Sequence, residues 1–142
     1  MARSHVKELA REAFELDEVV VDCDGDLPFP FGTALVYVSV VRDGRLVRVW
    51  SRALSGIHVN KAVLREIDEV NAGLIFGRVF TRLDGVIVES CLPVEPLRPC
   101  DLGRLVAEVG ATADRVGSML AAVHGGDVVF PDGCDASSSQ PD

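Results

Sequence analysis

A chain of 142 residues with 48% hydrophobic and 25% charged side chains has the size and balance of one soluble globular domain. Its formal net charge of −8 at pH 7 argues against generic binding to phosphate backbones, which takes clustered cations. No apolar run approaches the ~18 residues of a membrane-spanning helix, and the polar N-terminus lacks the apolar core of a secretory signal, so the expected location is the cytoplasm.

Ser4 to Leu16 reads as a first helix, with Ser4 as the candidate cap and Val6, Leu9, Ala10 and Ala13 on one face. Glu18 to Cys23 holds the β-branched run Val19-Val20-Val21 and is expected to be a first strand. Asp24-Gly25-Asp26 turns the chain. Leu27 to Gly32 then interleaves Pro28 and Pro30 with Phe29 and Phe31, which suits a loop or a sheet edge because proline removes ladder donors. Those two rings either pack as a lid on the core or stand out for a partner. Thr33–Arg42 and Arg45–Leu54 form a hairpin across Asp43-Gly44, a dipeptide that tolerates the positive φ of a tight type I′ turn.

In the helix capped by Asn60, Val63, Ile67, Val70 and Leu74 fall on one face, and Asn71-Ala72-Gly73 ends it. The period then changes from about 3.6 to 2. From Ile75 to Arg82, Phe76, Arg78, Phe80 and Arg82 alternate with Ile75, Gly77, Val79 and Thr81, and Val86–Leu92 pairs back across Leu83-Asp84-Gly85. Pro93, Pro96 and Pro99 stiffen a linker, after which Asp101 is the expected cap of a helix running to His124. Leu102, Leu105, Val106, Val109, Ala113, Val116, Leu120 and Val123 make its apolar stripe, and Gly125-Gly126 stops it. Beside the stripe runs a row of small residues, Gly103, Ala107, Gly110, Gly117 and Ala121. Glycine in a helix costs about 1 kcal/mol against alanine, so the row calls for close approach by the chain's own sheet or by a second subunit. In the second case these five residues are the dimer interface. Residues 1–126 are expected to form the domain and 127–142 a flexible Pro/Ser/Asp-rich tail, with Val128-Val129-Phe130 able to dock.

The order, helix, three strands, helix, two strands, helix, with antiparallel hairpins, gives an α+β domain. That order resembles the class I type III secretion chaperones, and more closely the YbjN family of sensory transduction regulators, which share the fold. The likeness is carried by Val70-Asn71-Ala72-Gly73-Leu74-Ile75-Phe76-Gly77-Arg78-Val79-Phe80, by Val88-Glu89-Ser90-Cys91-Leu92-Pro93, and by Ala113-Asp114-Arg115-Val116. The resemblance implies a dimer-prone, non-catalytic peptide- or protein-binding module without a cofactor. It brings no catalytic residues.

Arg48, Trp50 and Arg52 share one alternation, as do Phe76, Arg78, Phe80 and Arg82. If the two faces coincide, the sheet offers aromatic and guanidinium surface to an extended peptide, with the strand edge as another place for it. Phe29 and Phe31 are the further candidates for partner contact. The competing reading turns Phe76 and Phe80 into the core and pairs the arginines with Glu66, Glu69 and Glu89. Single-stranded nucleic acid could stack on the same residues, although the acidic balance opposes it. A thiol enzyme on Cys91 and His58 is a third reading, without spacing to support it. Cys23, Cys91, Cys100 and Cys134 include no Cys-x-x-Cys pair, and no metal is expected.

Overall fold

The chain passes from helix to strand between Gly73 and Arg78, so Ile75, Phe76 and Gly77, expected in the strand, precede it. The computed structural model describes residues 1–134; residues 135–142, the end of the expected tail, lie outside them. The elements are α1 (Ala2–Ala13), β1 (Leu27–Phe31), β2 (Ala34–Val41), β3 (Leu46–Leu54), α2 (Lys61–Gly73), β4 (Arg78–Arg82), β5 (Gly85–Pro93) and α3 (Pro99–His124). The five strands make one antiparallel sheet in the order β1-β2-β3-β5-β4. The two hairpins therefore join through β3 and β5, and β4 and β1 are its borders.

The expected α+β order holds, but its first strand lies elsewhere. Residues 18–23 are not a strand: the Asp22 carboxylate accepts the N–H groups of Asp24 and Asp26, both at 2.9 Å, and folds that stretch into a loop. The strand is Leu27–Phe31. Prolines at alternate positions put both missing donors on one side of it, which a border strand tolerates on its outer side. At the opposite border the Asn71 side chain makes two 2.8 Å bonds to Val79, one to its N–H and one to its carbonyl.

Helix boundaries shift for local reasons. α1 starts at Ala2, so Ser4 lies inside it rather than at its cap. Asn60 caps α2 as expected, accepting the Val63 N–H at 2.9 Å. α3 starts at Pro99, whose missing N–H suits the first helical position. Asp101 is accordingly two residues into the helix, where its carboxylate reaches back to the Arg98 N–H. The β2–β3 turn spans Arg42–Arg45, with positive φ at Arg42, Asp43 and Gly44, and is longer than a two-residue turn.

The core lies between one face of the sheet and the helices. Val36 and Val38, Val47 and Val49, and Val86 and Val88 face Leu102, Leu105, Val109, Val116 and Leu120 of α3 and Val6, Leu9 and Ala10 of α1. Each fully buried aliphatic side chain contributes roughly 1.5–3 kcal/mol, so this slab holds the fold. The close approach that the glycine row calls for is made inside this chain. A Cβ at Gly110 would sit 2.5 Å from the Phe31 ring, and one at Gly117 would sit 2.4 Å from the Ala53 carbonyl oxygen. Both glycines are buried, so they are not available to a second subunit's helix. Gly103 meets Ala13 of α1 at ordinary contact distance, while Ala107 is exposed and Ala121 half-buried.

Asp114, which interrupts that row, ties α3 to the β1–β2 turn: its carboxylate accepts the Thr33 N–H at 2.7 Å and the Thr33 hydroxyl at 2.6 Å. Beyond α3 the chain returns along the same end of the sheet. Asp127 bridges Ser55, the Phe130 N–H donates to the Thr33 carbonyl at 3.0 Å, and the Cys134 N–H to that of Gly32 at 2.7 Å.

Candidate functional site

Strand alternation sends every second side chain to the face of the sheet opposite the helices. Register then decides which of them meet. One row crosses all five strands as Pro28, Tyr37, Trp50, Glu89 and Arg78. Beside it run Ser39, Arg48 and Cys91 on one side, and Arg52, Ile87 and Phe80 on the other. Ile87 is only 4% exposed yet stands apart from the core cluster, because it is covered on this outer face rather than by a helix.

The centre of the face is a carboxylate shared by two arginines. Glu89 accepts from Arg48 Nε at 2.5 Å and from Arg78 Nε at 2.7 Å, with its side chain 8% exposed. The Arg48 guanidinium lies 4.8 Å from the Trp50 ring centre and that of Arg78 4.8 Å from the Phe80 ring. Trp50 stacks on Tyr37 with ring centres 4.7 Å apart and donates its indole N–H to Ser39 Oγ at 3.0 Å. A continuous ribbon of rings and guanidinium planes thus spans β2, β3, β5 and β4. Burial pushes the Glu89 carboxyl up, but hydrogen bonds and charge from Arg48 and Arg78 outweigh it and hold the group below the ordinary glutamate range. Burial raises Asp26, with Asp22 and Asp24 adding to the rise against a bond to Ser39. Burial also raises Tyr37, and the same three aspartates raise it further. Gly85 lets Arg52 cross it, since a Cβ there would sit 2.5 Å from that guanidinium.

Six of the sequence candidates, Arg48, Trp50, Arg52, Arg78, Phe80 and Arg82, therefore share this face. Phe76 does not. Gly77, at φ +116°, resets the alternation before β4 begins, and Phe76 instead borders a groove of about 420 Å³ between β5 and α3, with Leu92, Pro96, Leu97 and Leu105. Phe29 and Phe31 face the helices: Phe29 pairs with the Phe14 ring at 4.8 Å and Phe31 lies on Gly110. Glu89 takes the arginines, whereas Glu66 binds His124 Nε2 at 2.5 Å and fastens α2 to the end of α3. Tyr37, Ser39 and Ile87 are members of the face that sequence reasoning passed over. The alternation of β2 marks Tyr37 and Ser39 for the same side, but only register places them beside Trp50.

The borders of the sheet are poor places for an added strand, with β4 bonded at Val79 to Asn71 and β1 short of two donors. Cys91 and His58 do not meet. Cys91 is level with Arg48 near one end of β3, while His58 follows the other end, roughly 20 Å away at the rise of a strand. Burial, then the charge of Glu89, pushes the Cys91 thiol up, the wrong direction for a nucleophile. Among the described residues no group of three or more His, Cys, Asp or Glu side chains converges as a metal site requires.

Solved structures share this architecture. The Yersinia pestis type III secretion chaperone SycH, in complex with a stable fragment of YscM2, aligns at TM-score 0.61 and 15% identity, covering 82% of this chain and 99% of that one. YbjN from E. coli aligns at TM-score 0.62 and 13% identity, covering 84% and 91%. The HopA1–SchA chaperone–effector complex aligns at TM-score 0.56 and 16% identity, covering 83% and 94%. No curated protein matches significantly. At these identities the structural likeness establishes the fold, and the sequence model of one family establishes the kinship. It matches residues 1–132, so the chain belongs to TY-Chap1, the T3SS (YopN, CesT) and YbjN peptide-binding chaperone 1 family.

Proposed function

We propose that this member of the peptide-binding chaperone family is a non-catalytic adaptor that holds a segment of a partner protein on the outer face of its sheet. The observation that carries the reading is the ribbon from Tyr37 to Phe80, which lies on the face away from the helices and is already ordered by Glu89. Rigid aromatic and guanidinium surface loses little entropy when a partner settles on it. The SycH and SchA structures, both complexes, support a protein partner. The raised Cys91 thiol, far from His58, supports the absence of catalysis. A homodimer in the cytoplasm belongs to the same proposal. Its support is the exposed apolar corner at Ile75 and Phe76, 88% and 70% exposed, rather than the glycine row. The unpaired thiols Cys23, Cys91, Cys100 and Cys134 suit a reducing compartment.

The test is affinity capture followed by mass spectrometry, with the Trp50→Ala/Arg78→Ala double variant in parallel. The expected result is loss of the partner that the wild type retains. Undiminished capture of the same partner refutes the assignment to this face. Light scattering at micromolar concentration tests the dimer, and a strict monomer removes it.

A further inference from the structure

The outer face changes sign from one side to the other. On the β3–β4 side stand Arg48, Arg52, Arg78 and Arg82. Their counter-charges among the described residues are Glu89, whose two oxygens are already shared between Arg48 and Arg78, and Asp84, 3.9 Å from Arg52. On the β1 side the loop before the strand carries Asp22, Asp24 and Asp26 close enough to act on Tyr37. One cation stands among them, since the Arg3 guanidinium lies against Gly25. Neutral surface lies between the acidic loop and the arginines: Pro28 on β1 and Tyr37 on β2, with Trp50 standing between Arg48 and Arg52 on β3.

From β1 to the arginines of β3 is two strand spacings, about 10 Å, and to those of β4 four, about 19 Å. Both exceed the ~8 Å over which exposed charges feel one another at physiological salt. The zones therefore act on a bound segment separately, and each selects for its own end of it. A uniformly charged polymer gains at one zone what it loses at the other, which disfavours a single-stranded nucleic acid despite the rings on which bases could stack. A polypeptide can change charge along its length.

Resting on the reading of this face as a peptide surface, we infer that it takes a segment of mixed charge in one direction, with carboxylates over Arg52, Arg78 and Arg82, apolar side chains over Tyr37 and Trp50, and basic side chains beside Asp22 and Asp24. Complementarity of this kind fixes register and rejects wrong partners more than it adds affinity.

Trp50 is the single tryptophan of the chain, so its emission reports on the face directly. Four probes of about twelve units each suffice: a peptide with a Glu block, an apolar centre and a Lys block; the same centre flanked by Glu on both sides; the same centre flanked by Lys; and oligo-dT. The expected result is binding of the Glu–apolar–Lys peptide about tenfold tighter than either like-charged peptide, weakening with salt. The exposed Arg82→Glu substitution should shift preference toward the Lys-flanked peptide. Equal binding of the like-charged peptides, or oligo-dT binding as tightly as the mixed one, overturns the directional inference and leaves the face as a binding surface. No emission change with any probe overturns both.

Discussion

Gly117→Ala tests why α3 carries glycine where alanine is the better helix former. The substitution gains about 1 kcal/mol of helix propensity. Against that, the new Cβ would lie 2.4 Å from the Ala53 carbonyl oxygen, and since real contacts stay above 3.0 Å, α3 and β3 must part by at least 0.6 Å. The obstacle is backbone in the sheet, which cannot swing aside as a side chain could, and the parting loosens Val116 and Leu120 against Leu54. Overpacking of this kind costs about 1–3 kcal/mol, more when backbone must move, so a net loss of about 1–2 kcal/mol is expected. For a domain of this size that lowers Tm by roughly 3–10 °C. Gly103→Ala supplies the opposite sign: its Cβ would meet Ala13 at 3.5 Å, an ordinary contact, leaving a gain of up to about 1 kcal/mol. Urea melts followed by far-ultraviolet circular dichroism measure both. Gly117→Ala as stable as the wild type would refute the packing argument, and a loss that depends on protein concentration would return the glycine to a subunit interface.

Asn71→Ala removes two 2.8 Å bonds to Val79 and should cost about 1–2 kcal/mol. Amide exchange at Val79 should accelerate while that of Val88 stays protected. Glu89 titrates below its ordinary value in the folded chain, so its contribution to stability is present above the unfolded pKa and fades as pH falls through the lower, folded one. Glu89→Gln should therefore lower stability at neutral pH and flatten the acid limb of the stability profile. The loss should be about 1 kcal/mol, because Arg48 and Arg78, at 30% and 68% exposure, can turn to water. An unchanged acid limb would show that the carboxylate is not organising the two arginines.

Local chemistry made much of the fold legible. The i, i+4, i+7 spacing from Val63 to Val70, the Asn60 cap and the Gly125-Gly126 stop needed no tertiary information, and each stands where residue type put it. The errors arose where a local signal is ambiguous without its neighbours. Val19-Val20-Val21 is strand-like in composition, but the Asp22 carboxylate offers the backbone a different set of partners. Pro28 and Pro30 left that stretch open between a loop and a sheet edge, and it is the edge because both missing donors face the same, outer side. Counting by twos through Gly77 put Phe76 with Arg78, because a positive φ resets the count without leaving a mark in polarity. The site was half visible. Alternation grouped residues within each strand, whereas the meeting of Arg48 and Arg78 at Glu89 depends on the pairing of β3 with β5, across the whole of α2, which no short window contains.

The bonding of Asn71 to Val79 and the proline-bearing β1 reach beyond stability. With neither border offering an unbroken ladder of amides, both are poor templates for a further strand, whether from another copy or from a client. On the reading proposed above, a partner is then held through its side chains, by rings and guanidinium groups rather than by main-chain pairing.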